Sequence, residues 1–147
     1  MLIILIMFNL DDSLGFLLNR AAFAMRRAFE KRLAKHGLTA PQWAILARLW
    51  EEDGQSPSVV GRSLHFDRPT ITGIVDRLEQ KGLIRKARDS RDRRVIRTYL
   101  TDKGMALKKQ LQPLAQGVNR IASMGISDAD VARMKDCLRN IWRNLKA

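Results

Sequence analysis

A single cysteine, Cys137, and two histidines, His36 and His65, are all that 147 residues contain of either type. One thiol excludes an intramolecular disulfide framework, and with so few imidazoles a cysteine- or histidine-built zinc site is excluded too. Aromatic residues make up 6% of the chain, too few for the stacking platforms that hold single-stranded nucleic acid. There is no glycine-rich phosphate loop, no His-Glu-x-x-His, no cysteine–histidine pair at useful spacing and no nucleophile elbow. The acidic residues are scattered as helix caps and helix-face charges, so nothing here reads as an enzyme. No apolar run is long enough to span a bilayer. The opening run, Met1 to Phe8, lacks a basic leader and a cleavage site and meets Asn9, Asp11 and Asp12. Either Met7 is the true start, or the run packs on a helix or a partner subunit; the second reading is favoured, because exposing the run would leave a sticky patch.

What the chain does have is positive charge. Lys and Arg number 27 against 15 Asp and Glu, a formal net charge of +12. That balance points to nucleic acid or another anionic surface as partner and says nothing about fold. A 46% hydrophobic share is enough to build a core, and the length suits one domain with a helical extension.

The periodicity is mostly helical. A first helix begins after Asp11 or Asp12, either of which is a suitable N-cap, and runs through Leu14, Leu17, Leu18, Ala21, Met25, Ala28, Phe29 and Leu33 to a stop at Gly37. Thr39-Ala-Pro41 opens a second, with Trp43, Leu46, Ala47 and Trp50 on one stripe. Ser56-Pro-Ser58 opens a short third. Asp67 caps a fourth, whose buried stripe is Ile71, Ile74, Val75 and Leu78 and which Lys81-Gly82 closes. Leu83–Arg88 and Val95–Leu100 then read as two strands around Asp89-Ser-Arg-Asp92. Thr101 with Asp102 caps a fifth helix that continues through Leu107, Leu111, Leu114, Val118 and Ile121, bent at Pro113. Ser127 and Asp130 start the last. There Val131, Met134, Leu138, Ile141 and Leu145 alternate three and four apart, the seam of one helix lying along another.

The expected fold is therefore mainly α with a small β-hairpin. Residues 38–101 form a winged helix-turn-helix lobe, and residues 1–37 and 102–147 form a helical layer whose seams suit subunit contact, all in one continuous domain. The buried stripe of the fourth helix turns Arg68, Thr70, Thr72, Gly73, Asp76 and Arg77 outward. Hydroxyls and an arginine near a helix N-terminus can reach base edges, and that terminus favours phosphate. Arg77 is better placed for phosphate, or for a pair with Asp76 or Glu79. From Ile84 to Thr98 seven basic residues stand against two acids. Arg91, Arg93 and Arg94 crowd the tip, where an arginine is narrow enough to enter a minor groove, and the two acids, Asp89 and Asp92, can hold arginine side chains in a defined rotamer.

Leu38-Thr-Ala-Pro-Gln-Trp-Ala-Ile-Leu46, Thr70-Ile-Thr-Gly-Ile-Val-Asp-Arg-Leu-Glu-Gln-Lys-Gly-Leu-Ile84 and Asp89-Ser-Arg-Asp-Arg-Arg-Val-Ile-Arg-Thr-Tyr-Leu-Thr-Asp-Lys-Gly104 resemble the MarR family of bacterial transcriptional regulators. The resemblance covers nearly the whole chain from Asp12 and is most specific at the hairpin. It implies an obligate homodimer and a winged helix per subunit on palindromic double-stranded operator DNA. Most often this is a ligand-responsive repressor, and no cofactor is implied. By position, Asp92 and Arg94 match the family's wing pair, with Arg94 the minor-groove residue. Arg68, Thr70 and Thr72 match its recognition-helix contacts.

Some members sense peroxides through a cysteine near the start of the first helix, which this chain lacks. Cys137, beside Leu138, reads as a buried or half-buried structural thiol. Others bind phenols or aromatic carboxylates between the helical layer and the DNA-binding lobe. Phe16, Arg20 and Trp43 are the candidates to line such an effector pocket here, although Phe16 and Trp43 also lie on core stripes. His36 reads as a helix C-cap partner and His65 as a phosphate contact or a simply exposed residue. The competing function is an architectural or protein-interaction module with only non-specific DNA affinity, which the net charge supports equally well. Either would place the protein in a bacterial or archaeal cytoplasm, at the nucleoid.

Overall fold

Side-chain oxygens at the helix starts set the element order. In the computed structural model, which describes residues 8–146, the chain runs α1 (Leu14–Leu33), α2 (Ala40–Glu51), α3 (Pro57–Leu64), α4 (Arg68–Gln80), β1 (Ile84–Arg88), β2 (Ile96–Leu100), α5 (Asp102–Ala106), α6 (Lys108–Ala122) and α7 (Asp128–Leu145). Thr39 forms a full capping box, its Oγ1 accepting from Gln42 N at 3.3 Å while its own N–H donates to Gln42 Oε1 at 3.1 Å. Ser56, Asp67, Thr101 and Ser127 each accept a backbone N–H three residues on. Each such cap is worth about 1 kcal/mol to its helix. Pro41, Pro57 and Pro69 sit in first turns, where the missing N–H costs nothing. The apolar run ahead of Phe8, with the question of the true start, lies outside the described residues.

Three boundaries differ from the sequence expectation. Ser13 caps α1, accepting from Phe16 N at 3.3 Å. Asp11 and Asp12 fall in a short 3-10 turn before it, capped by Asn9. At the other end, a 3-10 turn over Ala34–His36 leads into Gly37 at φ 66. Lys81 Nζ, not His36, reaches the Gly37 carbonyl. The expected fifth helix is two, α5 and α6, parted at Leu107. There Gln110 N–H bonds the Leu107 carbonyl at 3.0 Å, tightening the turn. Pro113 lies in the second turn of α6 without ending it.

The core joins α2, α3, α4 and the hairpin base to the C-terminal end of α1 and to α6. Leu33, Ile45, Leu46, Val60, Leu78 and Leu111 are fully buried. In α2 the deepest residues are Ile45, Leu46 and Leu49, while Trp43 and Trp50 of the expected stripe lie half-buried at its edges. Trp43 packs edge-on against Phe29 at 4.8 Å between centroids, and Trp50 Nε1 donates to the Gly104 carbonyl at 3.0 Å. The hairpin is antiparallel, Ile84 facing Leu100 and Arg88 facing Ile96.

The helical layer is different. None of the residues of α7 is buried, and Met134, Leu138, Trp142 and Leu145 are exposed. So are Leu14, Leu17 and Phe23 on the first half of α1. Cys137 is exposed too, contrary to the expectation of a buried or half-buried thiol. The reason is the same: α7 meets no core within its own chain. No helix among the described residues is long and apolar enough to cross a membrane.

Candidate nucleic-acid interface

The fourth helix presents its polar face because Ile71, Ile74, Val75 and Leu78 bury the other. Its N-terminus is held by Asp67, whose Oδ1 accepts Thr70 N–H at 2.8 Å. Arg68, Thr70, Thr72 and Arg77 are all exposed. The Thr72 hydroxyl donates to the Arg68 carbonyl at 2.9 Å, so its oxygen faces outward chiefly as an acceptor. A Cβ on Gly73 would lie 3.7 Å from Arg77 Nη2. Arg77 thus folds back along its own helix. The acids named as its partners, Asp76 and Glu79, are taken instead by Lys86 of β1, at 2.7 Å and 3.4 Å. Lys86 N–H also donates to Glu79 Oε2 at 3.0 Å. The hydrogen bond to Asp76, with Glu79 adding to it, holds the Lys86 ammonium above its ordinary range, and this lysine braces the hairpin on α4.

The hairpin tip is organised by its two acids. Asp89 Oδ1 accepts the N–H groups of Arg91 and Asp92, both at 2.8 Å, while its Oδ2 binds Arg97 Nε. Arg97 also donates to the Gly54 carbonyl at 2.9 Å. Thr98 donates from N and Oγ1 to the Gln55 carbonyl at 2.9 and 2.7 Å. These bonds lash the hairpin to the α2–α3 loop. Asp92 takes Arg94 in two-pronged fashion, Nε at 3.1 Å and Nη2 at 3.2 Å, leaving the arginine side chain 90% exposed. Arg91 and Arg93 stand exposed beside it. The Arg94 guanidinium holds the Asp92 carboxyl below its ordinary value.

Arg97, followed by the Asp92 and Arg91 N–H groups, holds the Asp89 carboxyl down to about 2. A carboxyl depressed in the folded state stabilises that state at every pH above its ordinary value of 3.8, and the contribution is lost as pH falls toward the depressed value. Followed by NMR from about pH 5 to 2, the Arg97 Nε–H signal is therefore expected to hold its bonded position and then collapse toward the free one below about pH 3. Asp89→Asn removes that transition. A signal already free at pH 5 contradicts the lashing.

Between α3, α4 and the hairpin lies a cleft of about 560 Å³. It brings Arg68, Thr72 and Arg94 together with Ser56, Ser58 and Arg62. Sequence reasoning missed the last three as site residues. Their signal was the Ser-Pro-Ser start of α3, whose N-terminus opens on the same face. Arg77 is not among the cleft's walls. A second cavity, about 290 Å³, lies where α1, α2 and α6 meet. Trp43 lines it with Met25, Arg26, Phe29 and Asn119. Phe16 and Arg20, nearer the start of α1, are not among its walls. Trp43 Nε1 is buried without a hydrogen-bond partner among the described residues.

The MarR family profile matches residues 38–96, the stretch from the start of α2 to the start of β2. The transcriptional regulator TtmR of Methylorubrum extorquens is 38% identical over 133 residues, covering 87% of this chain and 68% of its own length. A MarR-family regulator from a Rhodococcus species superposes with a TM-score of 0.84 at 28% identity, over 90% of this chain and 96% of its own. BpsR of Bordetella bronchiseptica superposes with a TM-score of 0.85 at 26% identity, over 91% and 96%. TtmR and the Rhodococcus protein are transcriptional regulators, and BpsR binds DNA. In sequence and in fold, the chain belongs to the MarR family of winged-helix, DNA-binding transcriptional regulators.

Proposed function

We propose that the protein is a homodimeric repressor that reads a palindromic operator, each subunit laying α4 in the major groove and its hairpin in the flanking minor groove. The observation that carries this reading is the single cleft joining Arg68 and Thr72 of α4 to Arg94 of the wing. A base-reading helix and a groove-entering arginine share one face. Arg94 is exposed yet oriented by Asp92, so little side-chain freedom is lost when it enters a narrow, negative groove. The unburied stripe of α7 and the exposed first half of α1 supply the apolar surface that a second copy covers. A two-fold dimer requires half-sites about one helical turn, roughly 34–36 Å, apart or a multiple of that.

The same reading includes a small aromatic or phenolic effector in the cavity beside Trp43. That cavity is walled by Phe29, Met25 and Val118, with Arg26 and Asn119 as polar groups, and the unpartnered Trp43 N–H is a donor for a ligand oxygen. It lies between the helical layer and the lobe, so a ligand there favours one spacing of the two recognition helices over another. BpsR, whose DNA binding is regulated by 6-hydroxynicotinic acid, offers a precedent in kind.

The deciding experiment compares wild type and Arg94→Ala on a duplex enriched from a random library and on random duplex, across salt. Wild type is expected to keep a large ratio between the two at every salt concentration. Arg94→Ala is expected to weaken binding to the enriched duplex by about 5- to 150-fold. A wild type with no preference leaves only a non-specific architectural module. A variant with unchanged affinity removes the wing from recognition.

A further inference from the structure

The turn between α3 and α4 contains a backbone that glycine would adopt freely. His65 caps α3 at φ 57 and ψ 35, and it is the one non-glycine residue with positive φ among the described residues. A β-carbon is disfavoured there. The side chain in this position is in contact: the His65 imidazole lies 4.6 Å from the Trp142 ring, centroid to centroid, at an interplanar angle of 54°. Trp142 is on α7, 77 residues further along the chain. It follows Leu138 by four residues and precedes Leu145 by three, so it lies on the edge of the exposed apolar stripe. His65 itself stands two residues before Asp67, the cap of α4.

We infer that Trp142 is a positioning residue for the recognition helix, acting through His65 to tie the assembly helix α7 to the turn from which α4 starts. The inference rests on the dimeric, operator-reading function proposed above. The roll of α4 about its axis is set by its buried stripe. The stripe does not set how the N-terminal end of α4 sits relative to the second subunit, and that end carries Arg68, Thr70 and Thr72. The His65–Trp142 contact supplies that setting. Two rings packed at a tilt resist sliding, and the left-handed cap fixes the direction in which the His65 Cα–Cβ bond leaves the backbone. A shift of α7 along the subunit seam therefore moves the start of α4, and the spacing of the two recognition helices follows the seam.

The test uses the full-length protein and three variants, Trp142→Ala, Trp142→Phe and His65→Ala, with the Trp142→Ala/His65→Ala double. Each is measured on the library-enriched duplex and on random duplex at concentrations where light scattering reads the assembly state. Trp142→Ala is expected to stay dimeric, to bind random duplex as wild type does, and to lose about tenfold in its preference for the enriched duplex. Trp142→Phe, which keeps a ring on His65, is expected to restore that preference to within about twofold. His65→Ala is expected to match Trp142→Ala, and the double variant to lose no more than either single one. With only two histidines in the chain, the His65 ring protons are easily assigned. Their ring-current shift is expected to vanish in Trp142→Ala without any DNA present.

An unchanged preference in Trp142→Ala overturns the inference. So do losses that multiply in the double variant, since His65 then acts alone on phosphate. Dissociation of Trp142→Ala overturns it as well, since the ring then serves only the seam. A wild type that shows no preference at all brings down the proposed function itself, which separates the two failures.

Discussion

Replacing Gly104 with alanine is expected to destabilise the fold by about 3–5 kcal/mol, enough to lower Tm by roughly 10 °C. Helix propensity alone predicts the opposite sign, because alanine is favoured over glycine by about 1 kcal/mol within a helix. The close approach decides between them. A Cβ on Gly104 would lie 2.0 Å from the Leu83 carbonyl oxygen and 3.0 Å from its carbon. That oxygen cannot simply swing away. It accepts the Thr101 N–H at 3.1 Å, and the Thr101 hydroxyl binds the Gly82 carbonyl at 2.6 Å. Behind Gly104, its own carbonyl holds Trp50 Nε1. Relief therefore means shifting the joint where α4, the hairpin base and α5 meet. Thermal unfolding followed by circular dichroism checks this, and a Tm within about 2 °C of wild type shows that the joint yields freely. Because both strands of the wing are rooted there, the same variant is expected to lose preference for the enriched duplex before it loses helicity.

The need for glycine at 104 is set by a distant neighbour, Leu83, whereas other features are legible in the sequence itself. Caps are local chemistry, a hydroxyl or carboxylate three residues from the N–H that it accepts. Thr39, Ser56, Asp67, Thr101 and Ser127 could therefore be identified from order alone. The buried stripe of α4 and the two strands follow from periodicity in the same way, whereas the pairing of Asp92 with Arg94 comes from the family resemblance. What escaped notice depends on neighbours far along the chain. Lys86 claims Asp76 and Glu79 from across the α4–β1 turn. Arg97 reaches Gly54, 43 residues away. The glycine requirement at 104 comes from Leu83. Ser13 outcompetes Asp11 and Asp12 as a cap because those acids are drawn into the preceding 3-10 turn, a choice between adjacent good caps that composition does not decide. The cavity beside Trp43 shows the same division. The family resemblance points to Trp43, but Arg26 and Asn119 join it only because α1 and α6 pack together. Phe16 and Arg20 share α1 with that wall without sharing its depth along the helix.

Leu138→Asp is expected to convert the proposed dimer into monomers of 16.8 kDa. Leu138 lies in the middle of the three-and-four stripe of α7 and is 41% exposed in the single chain, so the fold of one subunit does not depend on it. In a two-fold interface each residue occurs twice. Covering the 41% of Leu138 that the single chain leaves exposed is worth about 0.6–1.2 kcal/mol of apolar burial per copy. The pair together therefore accounts for roughly 1–2.5 kcal/mol, and the dissociation constant rises about 8- to 60-fold before any charge is counted. Two carboxylates facing each other across a dry seam add desolvation and repulsion to that figure. Asn140→Asp serves as the control. Two residues along a helix is about 200° of rotation, so the same charge there points away from the stripe, and that variant is expected to stay dimeric. Sedimentation of both variants separates a seam effect from a general effect of charge. If the Leu138 variant remains dimeric, the subunits do not meet along α7. If it falls to monomers that still bind random duplex but no longer prefer the enriched one, then operator reading requires two correctly spaced α4 helices, each supplied by its own subunit.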